Sequence, residues 1–180
     1  MVLLLLKRGI FMKKDHWISI IFVLTFVLSF IFASLSNLAA NMNVLFIFIG
    51  LVLFIFIGIL FDMIGVAVLS CEESTFHAKA SRKIKGAREC IGLIKNANRT
   101  SSVCNDVIGD ICGIVSGTLT ASLVVMLLDT PLMAIFLTAV VSSLTVGGKA
   151  IGKKIAIKKC ENIVFCVGKI IYFFEIHKSK

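Results

Sequence analysis

One run of the sequence, Val44 to Leu69, is 26 residues long and carries a single ionisable side chain, Asp62. An apolar helix of that length crosses a bilayer with some tilt, and a soluble fold has no use for it. Three further runs read the same way: roughly 17–36, Val103–Leu128 and Leu132–Val146. The 19 Lys and Arg gather in three places, four before residue 17, seven within 71–99 and eight from 149 onward. With 58% hydrophobic residues and a mean hydropathy of +1.02, the net charge of +9 is a topology signal, not a nucleic-acid footprint. The expected fold class is an all-α integral membrane protein with about four hydrophobic segments and two basic amphipathic interfacial helices. Four crossings with both termini cytoplasmic place every basic block on one side of the cell membrane. The lipid bilayer is then the first partner, and no nucleic acid is expected.

Residues 1–16 form a basic N-terminus in which Met12 offers a second start. Lys7-Arg8-Gly9 shortly before a Met is what a purine-rich ribosome-binding site yields when translated. The run at 17–36 shares features with a signal peptide, yet it is long enough to span, and Ser34–Ala40 is a poor cleavage site. An uncleaved first span is expected, followed by an uncharged connector to Asn43. In 72–99, basic residues alternate with Ala80, Ile84, Ala87, Ile91 and Ile94, which predicts an amphipathic helix along an anionic cytoplasmic face. Asp129-Thr130-Pro131 predicts a capped helix start. The fourth run is short and bears Thr138, Ser142, Ser143 and Thr145, so it should face protein or enter the membrane part-way. Gly147-Gly148 should end it. From 149 to 176 a belt helix would then set Ile151, Ile155, Ile163, Val167 and Ile170 against Lys153, Lys154, Lys158, Lys159 and Lys169.

The third run opens with the chemistry, Ser102–Gly117, SVCNDVIGDICGIVSG. At 100° per residue, Asp106, Gly109, Asp110, Gly113 and Gly117 share about a 100° sector of one helix. Val103, Val107, Ile108, Ile111, Ile114 and Val115 lie opposite. Gly109, Gly113 and Gly117 at four-residue spacing predict a helix-packing seam, within the chain or between copies. Carboxylates in lipid must face protein, water or a cation, or else sit at the surface beside Lys and Arg. Asp62 lies about 10 Å in from Leu69, and Asp110 about 10 Å from Val103, at 1.5 Å per residue. Asp62, Asp106 and Asp110, with Ser116 nearby, are therefore candidate cation ligands at one depth.

Other chemistry finds little support. Cys71, Cys90, Cys104, Cys112, Cys160 and Cys166 form no CxxC pair and read as packing residues. Glu72, Glu73 and His77 would make a metal cluster only if His77 were not simply exposed. No Ser/His/Asp set, phosphate-cradling Gly loop or zinc spacing is present. Paired membrane aspartates in a protease require facing helices, whereas Asp106 and Asp110 share one. No enzyme activity and no cofactor are expected.

The order of motifs resembles the transmembrane domain of the CNNM/CorC family, which is associated with magnesium and cobalt transport. The residues are Lys85-Gly-Ala-Arg88, then Leu93-Ile-Lys-Asn96 with Arg99, then a membrane helix holding Ile114-Val-Ser116-Gly117. Gly148-Lys149-Ala-Ile-Gly152-Lys153 stands where that family has Gly-Glu-x-x-Pro-Lys and a belt helix. The resemblance covers roughly residues 44–176 and implies a homodimer that handles a divalent cation; no CBS pair is expected within the 180 residues. Its departures are specific. Lys149 replaces the family's glutamate ligand, Gly152 replaces its proline, and its Ser-Glu pair falls near Gly65 with Asp62 one turn away. The Asp106/Asp110 helix aligns only with a one-residue offset.

A Glu-to-Lys change inverts the charge at a site for Mg²⁺, an ion that wants carboxylate and carbonyl oxygens. Two readings follow. The chain transports ions through the Asp cluster, or it is a non-transporting interaction or regulatory subunit whose site is plugged by Lys149. The second reading requires Lys149 within salt-bridge reach of Asp62, Asp106 or Asp110.

Overall fold

The computed structural model describes residues 14–39, 43–127 and 130–178, all of whose regular structure is helical. Expectations that fall elsewhere, among them the alternative start at Met12 and a cap from Asp129, lie outside the described residues. Helices α1 (Lys14–Ala39) and α2 (Val44–Ser70) are followed by three short ones, α3 (Glu73–Ser81), α4 (Ala87–Lys95) and α5 (Ala97–Ser102). From α5 the chain continues through a π-helical segment, Val103–Gly109, into α6 (Asp110–Leu127). Helices α7 (Pro131–Lys158) and α8 (Cys160–Lys178) complete the chain. Three stretches are long and apolar enough to cross a membrane: Val44–Ser70, Ala97–Leu127 and Pro131–Lys158. In α1 the apolar stretch is shorter, Ile21–Ser34.

Helix α2 is the centre, packed against α6, α7 and the π-helical segment. One apolar core joins Leu28 of α1 to Ile47 and Leu51 of α2 and to Val107, Ile111, Val115, Leu119 and Leu123. The apolar side expected of the third run is therefore real, except that Ile114 is 50% exposed. A second core closes the charged end of the bundle with Ala67, Val68, Cys71, Phe76, Cys90, Leu93, Ala156 and Val164.

Two expectations about the basic segments need correction. Segment 72–99 is three short helices instead of one, because Lys83 (φ 55°) and Gly86 (φ 90°) take left-handed backbone and reverse the chain after α3. Glycine adopts that geometry without steric cost. Gly86 also lies flat on α8, where an added Cβ would stand 2.9 Å from the Lys169 backbone nitrogen. The expected apolar face is split: Ile91 and Ile94 turn into the second core, while Ile84 is left 40% exposed at the turn.

Gly147 and Gly148 do not end α7, which runs unbroken to Lys158. The second of the pair serves close approach. A Cβ at Gly148 would meet Ile59 Cδ1 at 2.5 Å, and one at Gly152 would meet Met63 Cγ at 2.9 Å. Gly148, Gly152 and the buried Ala156 thus form the face of α7 that packs on α2. Ile151 and Ile155, expected to be the apolar face of a belt helix, point outward at 66% and 43% exposure. The span 149–176 is the end of one long helix followed by a separate α8.

Candidate functional site

Asp62 lies on α2 about two turns before its end, and it is only 3% exposed. A carboxylate so far out of water requires a counter-charge. Two lysines of α7, one turn apart, supply it. Lys149 Nζ lies 3.8 Å from Oδ1, and Lys153 Nζ lies 3.3 Å from Oδ2. The lysine side chains keep 24% and 48% of their exposure, so their stems run along protein while the ammonium groups reach the acid. The small-residue face at Gly148 and Gly152 makes this possible by bringing α7 against α2.

Gly109 closes the third side. A Cβ there would fall 3.2 Å from Asp62 Oδ1 and 3.5 Å from Lys149 Nζ. Next along the π-helical segment, Asn105 presses on Gly65 so closely that any Cβ at Gly65 would overlap its amide oxygen. Asn105 donates through Nδ2 to Ser101 Oγ at 3.1 Å, while its buried Oδ1 has no hydrogen-bond partner among the described residues.

The other candidate ligands are elsewhere. Asp106 and Asp110 are exposed and make no ion pair among the described residues. Among the described residues no three His, Cys, Asp or Glu side chains gather as a metal site, so Asp62, Asp106 and Asp110 do not converge. The sector expected to carry the ligands stays together but faces outward: Asp106, Asp110, Gly113 and Gly117 are all exposed, and Gly109, at its edge, is the one turned to Asp62.

Ser116 is buried and donates to the Gly113 carbonyl at 3.0 Å. It borders a cleft of about 240 Å³ between α6 and α7 that is also lined by Gly117, Thr120, Thr138 and Ser142. A Cβ at Gly113 or Gly117 would meet nothing within 4 Å, so these two are not a packing seam inside the chain. Close helix contact uses glycines of α2 instead, with a Cβ at Gly58 reaching Cys112 Cβ at 3.1 Å.

His77, Cys71 and Cys90 sit in structural surroundings. His77 pairs with Glu73 at 2.8 Å on the surface of α3. Burial, and then the nearby Glu89, push the Cys90 thiol up to about 11, and burial with Cys160 close by raises Cys71 as well. Neutral, buried thiols suit packing and not ligation.

Sequence reading gave Lys153, Asn105 and Gly65 no part in the site. Lys153 had a usable signal, its spacing of four from Lys149. Asn105 had none, since its position depends on the π-helical segment. The chain matches no model of a known family, no curated protein and no solved structure.

Proposed function

We propose that this chain is a multi-pass protein of the cell membrane, laid out like the CNNM/CorC transmembrane domain, that acts as a non-transporting interaction or regulatory subunit. The observation that carries this reading is the pairing of Asp62 with Lys149 and Lys153. One buried negative charge is met by two resident positive charges. A divalent cation entering beside Asp62 would face a net positive site and would have to displace at least one ammonium. Both termini are taken to be cytoplasmic, and a homodimer follows from the same resemblance.

The test is metal-dependent thermal stability of the purified protein with Mg²⁺, Co²⁺, Mn²⁺ and Na⁺, beside ion flux in liposomes. The wild-type protein should show no ion-specific stabilisation and no Mg²⁺ or Co²⁺ flux above empty vesicles. The Lys149→Ala/Lys153→Ala protein, with Asp62 freed, should gain stability from Mg²⁺. Divalent flux through the wild-type protein would return the reading to a transporter.

A further inference from the structure

Two corners of the chain meet at the charged end of the bundle, and each carries a cysteine. Cys71 is the first residue after α2 and is buried at 8% exposure. Cys160 is the first residue of α8, is partly exposed, and packs against the core to which Cys71 belongs. The Cys160 thiol lies 3.8 Å from the Ser70 carbonyl oxygen and is in hydrogen-bonding contact with the Cys71 thiol.

This approach is held by its surroundings. Thr75 of α3 donates to Glu161 at 3.5 Å, and Lys79 of α3 pairs with Glu161 at 3.6 Å. Both contacts seat the start of α8 on α3, which begins two residues after Cys71. Cys90, the third thiol of that core, is fully buried and donates to the Val164 carbonyl at 3.3 Å. Burial raises the Cys71 thiol, so the sulfur that meets an oxidant from solvent first is Cys160. A reactive thiol beside a resolving one is the arrangement that turns oxidation into a reversible disulfide.

We infer that Cys160 and Cys71 form a peroxide-responsive dithiol whose disulfide staples the corner after α2 to the start of α8. The Cys160 sulfur attacks one oxygen of hydrogen peroxide, the O–O bond breaks, and a sulfenic acid and water result. The Cys71 sulfur then attacks the Cys160 sulfur, the S–O bond breaks, and the hydroxide leaves as water with the Cys71 proton. Two thiols are oxidised by two electrons, and one peroxide is reduced to two waters. Attack by a small thiol on the disulfide reverses the step. Ala156 of α7 lies in the same core, so the staple braces the end of α7 too. This goes beyond the reading of Asp62 and does not depend on it.

The experiment is titration of the full chain in phosphatidylcholine nanodiscs with hydrogen peroxide, followed by alkylation and peptide mass spectrometry. A Cys71–Cys160 linked peptide should accumulate and disappear with dithiothreitol. The thermal midpoint should rise by roughly 5 °C on oxidation, because a staple restricts the unfolded chain. Cys71→Ser should leave a Cys160 sulfenic acid that dimedone traps, with no rise in the midpoint. Cys90→Ser and Cys166→Ser should keep the link. Absence of the linked peptide at peroxide levels that oxidise Cys166, which needs no variant to be read, overturns the inference. So does a link from Cys71 or Cys160 to any other cysteine in its place, or a Cys71–Cys160 link that leaves the midpoint unchanged.

Discussion

Two ammonium groups share one buried carboxylate at Asp62, so losing either is a different event from losing both. Lys153 is about half exposed, and Lys153→Ala alone should cost less than about 1 kcal/mol. Lys149→Ala/Lys153→Ala leaves a charge at 3% exposure without a partner, for which about 3–5 kcal/mol is usual. Unfolding of the detergent-solubilised proteins, read as a double-mutant cycle, measures the coupling. A double variant no weaker than the sum of its singles would mean that the lysines do not act on the same acid. The thiols give a second residue-scale test. Cys166 is exposed, while Cys71 and Cys90 are buried with raised thiols, so a maleimide should label Cys166 in the folded protein and spare the other two. Labelling of Cys90 at the rate of Cys166 would place α4 away from α8. Asp62 was legible in the sequence because it is the only ionisable group in its span. Lys153 was hidden by the reading of 149–176 as a helix lying along the membrane surface.

At the scale of elements, the sequence gives the helices but not all of their faces. The four-residue glycine spacing in the third run is sound as a pattern, yet only Gly109 is buried against Asp62, while Gly113 and Gly117 are exposed with open space beside them. Gly109→Ala should therefore destabilise the protein by crowding Asp62 and Lys149. Gly113→Ala, opening into the cleft, should be neutral or gain up to about 1 kcal/mol in helix propensity. Thermal melts of the two variants decide the matter, and equal losses would refute the assigned faces. Gly147-Gly148 misleads for a related reason. Adjacent glycines are read as a helix end in water, whereas between membrane helices they permit contact. Gly152→Leu would have to push Met63 aside, and it should loosen α7 from α2 and with it the lysine pair.

At the scale of the whole molecule, the three basic blocks bear on which way the bundle stands. Ala67 and Val68 at the end of α2, Leu93 of α4, Ala156 near the end of α7 and Val164 of α8 all belong to one core. The chain segments carrying Lys and Arg 79–99 and 149–169 thus leave the apolar helices at the same end of the molecule. Only two orientations are then open, and charge selects between them, since loops rich in Lys and Arg stay in the cytoplasm. Leu127 and Pro131, where the spanning-length helices Ala97–Leu127 and Pro131–Lys158 end and begin, belong to the opposite end. Reporter fusions placed after residue 90 should read cytoplasmic, and fusions after residue 130 should read external. The same side for both would mean that Ala97–Leu127 does not cross the membrane. An external reading at 90 with a cytoplasmic one at 130 would invert the bundle and place Lys149 and Lys153 on the outer side.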